Sequence, residues 1–127
     1  MLAPLVLGGL RPFRIGTARA APSDHPTPRA GVDGSHVLTA DDLKDSPGVI
    51  PVFDMIREIP RVADGIRCQC ECAQIPEMYS LLSCFEQDGM ARHCRICQGV
   101  ARLVYRMHQR GSPLDQIRAA VDAESWG

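Results

Sequence analysis

Six cysteines form the part of this chain best suited to chemistry, and all six lie between residues 68 and 97. Cysteine serves proteins as a soft metal ligand, as a redox-active thiol and as a cross-linking residue. The spacing of the cysteines is the first guide to which use applies. In order, they are Cys68-Gln69-Cys70-Glu71-Cys72, then Cys84, then Cys94-Arg95-Ile96-Cys97.

The last two cysteines, Cys94 and Cys97, are predicted to lie in the first turn of a helix. Their spacing places both sulfurs on one side of that turn. The unpaired N–H groups and the helix dipole there favour the thiolate over the thiol. The pattern suits either a redox pair or half of a metal site. His93 precedes Cys94 directly, so it is a candidate ligand to the same centre, with a capping or surface role as the alternative.

The alternating cysteines Cys68, Cys70 and Cys72 favour a shared metal over disulfides among themselves. In an extended segment all three sulfurs point to the same face, and in a tight loop they can converge on one centre. The short loops between them would strain any mutual disulfide. Together with the other cysteines, they could supply more thiolates than a structural zinc site uses. A cluster so rich in sulfur suits Cu(I).

The sequence therefore predicts a thiolate metal site that binds Cu(I) first and Zn second. One alternative is a thiol–disulfide redox protein that uses the CxxC pair. Another is an interaction module stapled by disulfides. No hydrolase triad, phosphate-binding glycine loop or convincing pair of carboxylates is found, so no other enzymatic activity is expected. The predicted metal ligands are Cys68, Cys70, Cys72, Cys84, Cys94, Cys97 and His93.

The segments that must position these residues are predicted to be helical, because their apolar residues recur at helical spacing. One helix is expected from about Pro51 to Pro60, and a second from His93 to a stop at Gly111. A third begins at Ser112-Pro113, with the serine as its cap. The tight joint at Gly111 favours antiparallel packing. The predicted fold class is all-α: a small cysteine-rich helical domain with a C-terminal antiparallel helix pair.

The first 36 residues are expected to form a signal-like segment and a flexible linker, and the helical domain is placed at 37–127. Residues 1–21 combine an apolar run with three arginines and no acidic residue. Ala18-Arg19-Ala20 has the form of a signal-peptidase site, although the charges follow the apolar run, the reverse of a complete secretory signal. The distal part of an export signal, a degenerate signal and a disordered tail are the alternatives. Export to an extracytoplasmic location, periplasmic or secreted, is favoured.

The linker and the composition of the chain limit which residues can be ligands and which partners are expected. Residues 22–34 are rich in proline and glycine, and histidines there, such as His25, are expected to be solvated. A net charge of −1 gives no reason to expect nucleic acid or an anionic membrane as the main partner. No apolar run is long enough to span a bilayer. The expected partners are a metal ion and a protein that delivers or accepts it.

The order of the motifs resembles that of the bacterial PCYCGC-motif (CYCXC) proteins, which are small exported proteins or lipoproteins, largely of unknown function. The likeness covers roughly residues 51–122. The family's Pro, Tyr and Gly are replaced within Arg67-Cys68-Gln69-Cys70-Glu71-Cys72, whereas all six cysteines are kept. No cysteine near the N-terminus marks a lipid-anchoring site. The other matching segments are Leu81-Leu82-Ser83-Cys84-Phe85, Cys94-Arg95-Ile96-Cys97-Gln98 and Gly111-Ser112-Pro113-Leu114-Asp115-Gln116-Ile117-Arg118.

Overall fold

The computed structural model describes residues 25–87 and 89–126, and these ranges contain helices and no β-strand. The all-α class is thus confirmed for the described part of the chain. The signal-like residues 1–24 lie outside it, and the domain division at residue 37 stays a prediction. The helices are α1 (Ile50–Glu58), α2 (Pro60–Ala63), α3 (Leu81–Cys84), α4 (Arg95–Gln109) and α5 (Leu114–Ala123), with 3-10 turns at Pro47–Val49, Glu71–Gln74 and Met90–His93.

Two prolines set the bounds of α1. Pro51 lies in the first turn, where a missing N–H group costs no helical hydrogen bond. The helix ends just before Pro60, as predicted, and Pro60 immediately opens the short helix α2. Among the described helices, none is both long and apolar enough to cross a membrane.

The C-terminal helices follow the predicted pattern with one correction. Helix α4 begins directly after Cys94 and ends two residues before Gly111. Gly111 adopts a φ of +85°, the left-handed conformation that commonly follows a helix. The N-cap residue of α5 is Pro113, and no side chain caps the helix, so the predicted capping by Ser112 was wrong. Helices α4 and α5 contact each other, and their antiparallel arrangement stays a prediction.

The hydrophobic core includes cysteines as well as aliphatic and aromatic side chains. Phe53 of α1 and Phe85 after α3 are fully buried and meet edge to face, with ring centroids 4.6 Å apart. Aromatic rings prefer this geometry. Cys68, Cys84 and Cys97 belong to the same buried cluster. The fold therefore places three of the six cysteines inside the core.

Residues 25–29, which we call the N-terminal strap, lie against the chain on either side of the cysteines. The guanidinium of Arg118 in α5 donates hydrogen bonds to the carbonyl oxygens of Pro26, at 2.8 Å, and of Gly65, at 2.9 Å. One arginine thereby joins the strap, the last helix and the segment that leads to the first cysteine. The sequence predicted only a linker here and gave no signal of these contacts.

A buried carboxylate fixes the other end of the strap. Arg29 donates its backbone N–H and two guanidinium N–H groups to Asp64, at 2.7 to 3.1 Å, and the Ser80 hydroxyl donates to the same carboxylate at 2.6 Å. The Arg29 guanidinium also stacks 4.2 Å above the ring of Tyr79. Burial raises the pKa of Asp64, but the hydrogen bonds from Arg29 and Ser80 outweigh it, so the pKa lies below its ordinary value.

Candidate metal centre

Three cysteine sulfurs converge beside the N-terminal turn of α4. The Sγ atom of Cys68 lies 3.1 Å from Sγ of Cys97 and 3.4 Å from Sγ of Cys70. The third edge, from Cys70 to Cys97, is also 3.4 Å. We call these three atoms the sulfur triangle. Each edge is well above the roughly 2.05 Å of a disulfide bond, so the three sulfurs are close without being bonded to one another.

Local structure explains how the triangle forms. Cys68 and Cys70 are separated by one residue in the coil and bend that follow α2, and their sulfurs converge, as expected for cysteines in a tight loop. Cys97 comes from the first turn of α4, whose N-cap residue is Cys94. The triangle therefore joins a loop to a helix end, and its position depends on both.

Cys84 brings a fourth thiol to the edge of the sulfur triangle. This residue ends α3 and is fully buried. Its thiol interacts with those of Cys68 and Cys97. The backbone N–H of Leu81 donates to the carbonyl oxygen of Ile66 at 2.8 Å, which holds the start of α3 beside the segment that leads to the cysteines.

The buried thiols differ strongly in acidity. Hydrogen bonding with Cys84, and then with Cys97, lowers the pKa of Cys68 to about 3. The hydrogen bond with Cys68 in turn raises the pKa values of Cys84 and Cys97. These hydrogen bonds favour the thiolate form of Cys68 and the neutral form of Cys84 and Cys97. The thiolate is the form of cysteine that binds metals, and a bound metal would also displace the protons of its neighbours.

The dimensions of the sulfur triangle suit a soft metal ion after a small expansion. With a Zn–S distance of about 2.3 Å, the sulfurs of a tetrahedral site lie about 3.8 Å apart. The observed edges of 3.1 to 3.4 Å are shorter. An ion would move the sulfurs apart by about half an ångström, within the reach of small side-chain rotations. The burial of Cys68 and Cys97 matches a closed site without open water positions.

Two of the other predicted ligands, Cys94 and His93, are not part of the sulfur triangle. The sulfur of Cys94 accepts the backbone N–H of Cys97 at 3.4 Å and so caps α4. His93 is exposed, and among the described residues the group of close ligand atoms holds only Cys68, Cys70 and Cys97. The side chain of Cys72 lies outside the part that the structure describes. A ligand role for Cys72, Cys94 and His93 stays a prediction.

His25 is a residue next to the site that the sequence did not reveal. Its side chain is 2% exposed, so the expectation of a solvated histidine was wrong. Nδ1 accepts the backbone N–H of Arg67 at 2.9 Å, and Nε2 lies 2.9 Å from the carboxylate of Asp122. Because Nδ1 accepts, the ring hydrogen is on Nε2 and is donated to Asp122. His25 thus ties the residue before Cys68 to α5.

We expect His25→Ala to lower the free energy of unfolding of the reduced protein by about 1–3 kcal/mol, because the N–H of Arg67 loses its acceptor. His25→Asn keeps an acceptor near the position of Nδ1 and should recover part of the loss. Chemical denaturation followed by circular dichroism measures both. His36→Ala, at an exposed position, is the control. Equal destabilisation by His25→Ala and His36→Ala would contradict the role given to His25.

A comparison of the chain with protein-family models, curated proteins and solved structures found no match. The resemblance to the PCYCGC-motif proteins therefore stays a prediction. No relative supplies a function or a ligand set for this site. The function is therefore inferred from the distances between the cysteine sulfurs and from the residues that position these sulfurs.

Proposed function

We propose that this chain is a metal-binding protein that holds Cu(I), with Zn as the second candidate, through cysteine thiolates. One observation carries the proposal: the sulfurs of Cys68, Cys70 and Cys97 lie within 3.1 to 3.4 Å of one another in a largely buried site. The role is metal storage, delivery or sensing, without catalysis. The partner, besides the ion, is a protein that donates or accepts the metal.

The chemistry of the site selects soft ions. Among the described residues, the close ligand atoms of the site are all sulfurs, and thiolates prefer Cu(I) and Zn to Mg²⁺ or Ca²⁺, which take oxygen ligands. Cys68, Cys70 and Cys97 form the proposed ligand set for Cu(I). Zn favours four ligands, and Cys84, whose thiol interacts with those of Cys68 and Cys97, is the proposed fourth ligand. The choice between the two ions therefore depends on whether Cys84 joins the site.

Export is part of the proposal. Its support is the composition of residues 1–21, where an apolar run is followed by arginines and by a small-x-small sequence. The proposed location is extracytoplasmic, either periplasmic or secreted. There the protein would keep soft ions away from other thiols and pass them to a partner.

Purification under anaerobic, reducing conditions followed by reconstitution tests the proposal. Elemental analysis should find bound Cu(I) or Zn, and a thiol count should show masked cysteines that acid or a strong chelator exposes again. Protein that contains no metal after reconstitution, with its thiols freely reactive, would exclude the proposed function. Protein without metal and without reactive thiols would instead favour the disulfide-stapled alternative.

Thermal unfolding provides a second measurement, because an ion that binds only the folded chain stabilises it. At a free Zn concentration a thousand times the Kd, the gain is about 4 kcal/mol. For a domain of this size, that gain raises Tm by about 15 °C or more. Mg²⁺ at the same concentration is the control and should leave Tm unchanged. A Tm that responds to neither ion contradicts a folded-state metal site.

A further inference from the structure

We propose that the sulfur triangle is also a redox switch, in which Cys68 and Cys97 form a disulfide and release the metal. The release step rests on the proposed function, whereas the choice of the cysteine pair does not. The separation of the two sulfurs, 3.1 Å, is the shortest edge of the triangle. A disulfide requires about 2.05 Å, so the sulfurs must approach by about 1 Å.

The two other pairs within the sulfur triangle, and the CxxC pair, are less favourable. Cys68 and Cys70 are two residues apart, and so short a loop strains the bridge. Cys70 and Cys97 are farther apart, at 3.4 Å. In the CxxC pair, the sulfur of Cys94 caps α4, while the sulfur of Cys97 is one corner of the triangle. The structure therefore favours Cys68 and Cys97 as the redox pair, in place of the CxxC pair of the redox alternative that the sequence analysis gave.

Hydrogen peroxide is the oxidant we assign to this switch. A thiolate of the pair attacks one peroxide oxygen, the O–O bond breaks, and a sulfenic acid and, after proton uptake, water are formed. The second cysteine attacks the sulfenic sulfur, the S–O bond breaks, and a second water leaves. In total, two thiols lose two electrons to one peroxide. The disulfide cannot bind the ion as two thiolates do, so the ion dissociates.

Of the three sulfurs in the triangle, only that of Cys70 belongs to a partly exposed residue. The Cys70 corner is therefore the side from which a small oxidant such as peroxide would reach the sulfurs. A small thiol that reduces the disulfide would approach from the same side. Reduction reverses the change by thiol–disulfide exchange, in which an external thiolate attacks one sulfur of the bridge. The switch is therefore reversible, provided that oxidation stops at the disulfide.

Peptide mapping identifies the linked segments, because two proteases separate Cys94 from Cys97 and both from Cys68 and Cys70, which remain in one peptide. The reduced, metal-free protein is treated with one equivalent of hydrogen peroxide, alkylated, and digested with trypsin and a glutamate-specific protease. We expect a disulfide between peptides 68–71 and 96–102. The peptides are 68–71 with Cys68 and Cys70, 72–77 with Cys72, 78–86 with Cys84, 93–95 with Cys94, and 96–102 with Cys97.

Two variants decide which cysteines are used. The link between peptides 68–71 and 96–102 should persist in Cys70→Ser and in Cys94→Ser. A wild-type link between peptides 93–95 and 96–102 would overturn the proposal, and so would oxidation to unlinked sulfinic acids. Circular dichroism confirms that each variant is folded before the mapping is interpreted.

Zinc release tests the second half of the proposal. Zn-loaded protein should lose its ion to a chromophoric chelator as the Cys68–Cys97 link forms, and dithiothreitol should restore binding. If the disulfide forms while Zn stays bound, the switch is refuted and the metal site stands. If the reduced protein never binds Zn, the proposed function loses its Zn form, and the peptide map still decides the redox pair.

Discussion

Cys97→Ser is expected to lower the affinity of the reduced protein for Zn by more than about 100-fold, because loss of a supporting hydrogen bond alone costs about 10- to 100-fold. The matched variant Cys94→Ser should lower it by less than about tenfold. The two cysteines share one motif and one helix turn, yet the structure gives them different tasks. The sulfur of Cys97 is one corner of the sulfur triangle, whereas the sulfur of Cys94 caps α4.

Competition with a chromophoric chelator under anaerobic conditions measures both affinities. Serine is a good N-cap residue, so Cys94→Ser preserves the start of α4. Circular dichroism of the metal-free variants shows whether α4 is intact in each case. If Cys94→Ser weakened binding as much as Cys97→Ser, the CxxC pair would bind the ion together, and the three-sulfur ligand set would be wrong.

Asp64→Asn is expected to lower the free energy of unfolding by about 3 kcal/mol, the lower end of the cost of breaking a buried ion pair. The carboxylate is fully buried and accepts hydrogen bonds from Arg29 and Ser80. The partner side chain of Arg29 is 44% exposed, so water can solvate it after the change, and this keeps the cost from being higher.

The same carboxylate predicts a dependence of stability on pH. Because its pKa is lowered in the folded state, its contribution is present in full above the pKa of the unfolded chain, near 4. The contribution is lost as the pH falls through the lower, folded pKa. The difference in unfolding free energy between the protein and Asp64→Asn should therefore shrink below about pH 4.

Chemical denaturation at a series of pH values measures this difference. Asp54→Asn is the matched control, since Asp54 is half exposed and pairs with Arg57 on the surface of α1. That pair should be worth less than about 1 kcal/mol. A cost for Asp64→Asn that is no larger than for Asp54→Asn would show that the buried carboxylate does not anchor the strap.

The helices could be predicted from the sequence because their signals are local. The apolar spacing in α1 and α4, the proline after α1 and the glycine after α4 each mark an element or its end within a few residues. The proximity of the Cys68 and Cys70 sulfurs was also a local expectation, since only one residue separates the two cysteines. Such features need no knowledge of distant parts of the chain.

The choice among the cysteines could not be predicted, because it depends on packing between distant segments. The spacing of Cys94 and Cys97 marks both as ligands, and only the orientation of α4 separates their roles. The partners of His25 lie 42 and 97 residues away, and that of Arg29 lies 35 residues away. Polar contacts over such distances leave no periodic pattern, so a proline-rich segment was interpreted as a solvated linker.

The N-terminal strap has a consequence for the way in which the chain is made. Residues 25–29 leave the ribosome well before Arg118 and Asp122, the residues of α5 that hold the strap. The cysteines at positions 68–97 are also made before α5, so their segment is first present without the contacts between the strap and α5. The contacts that join the strap to α5 can form only after residue 122 has been made, and thus after the whole cysteine segment has been synthesised.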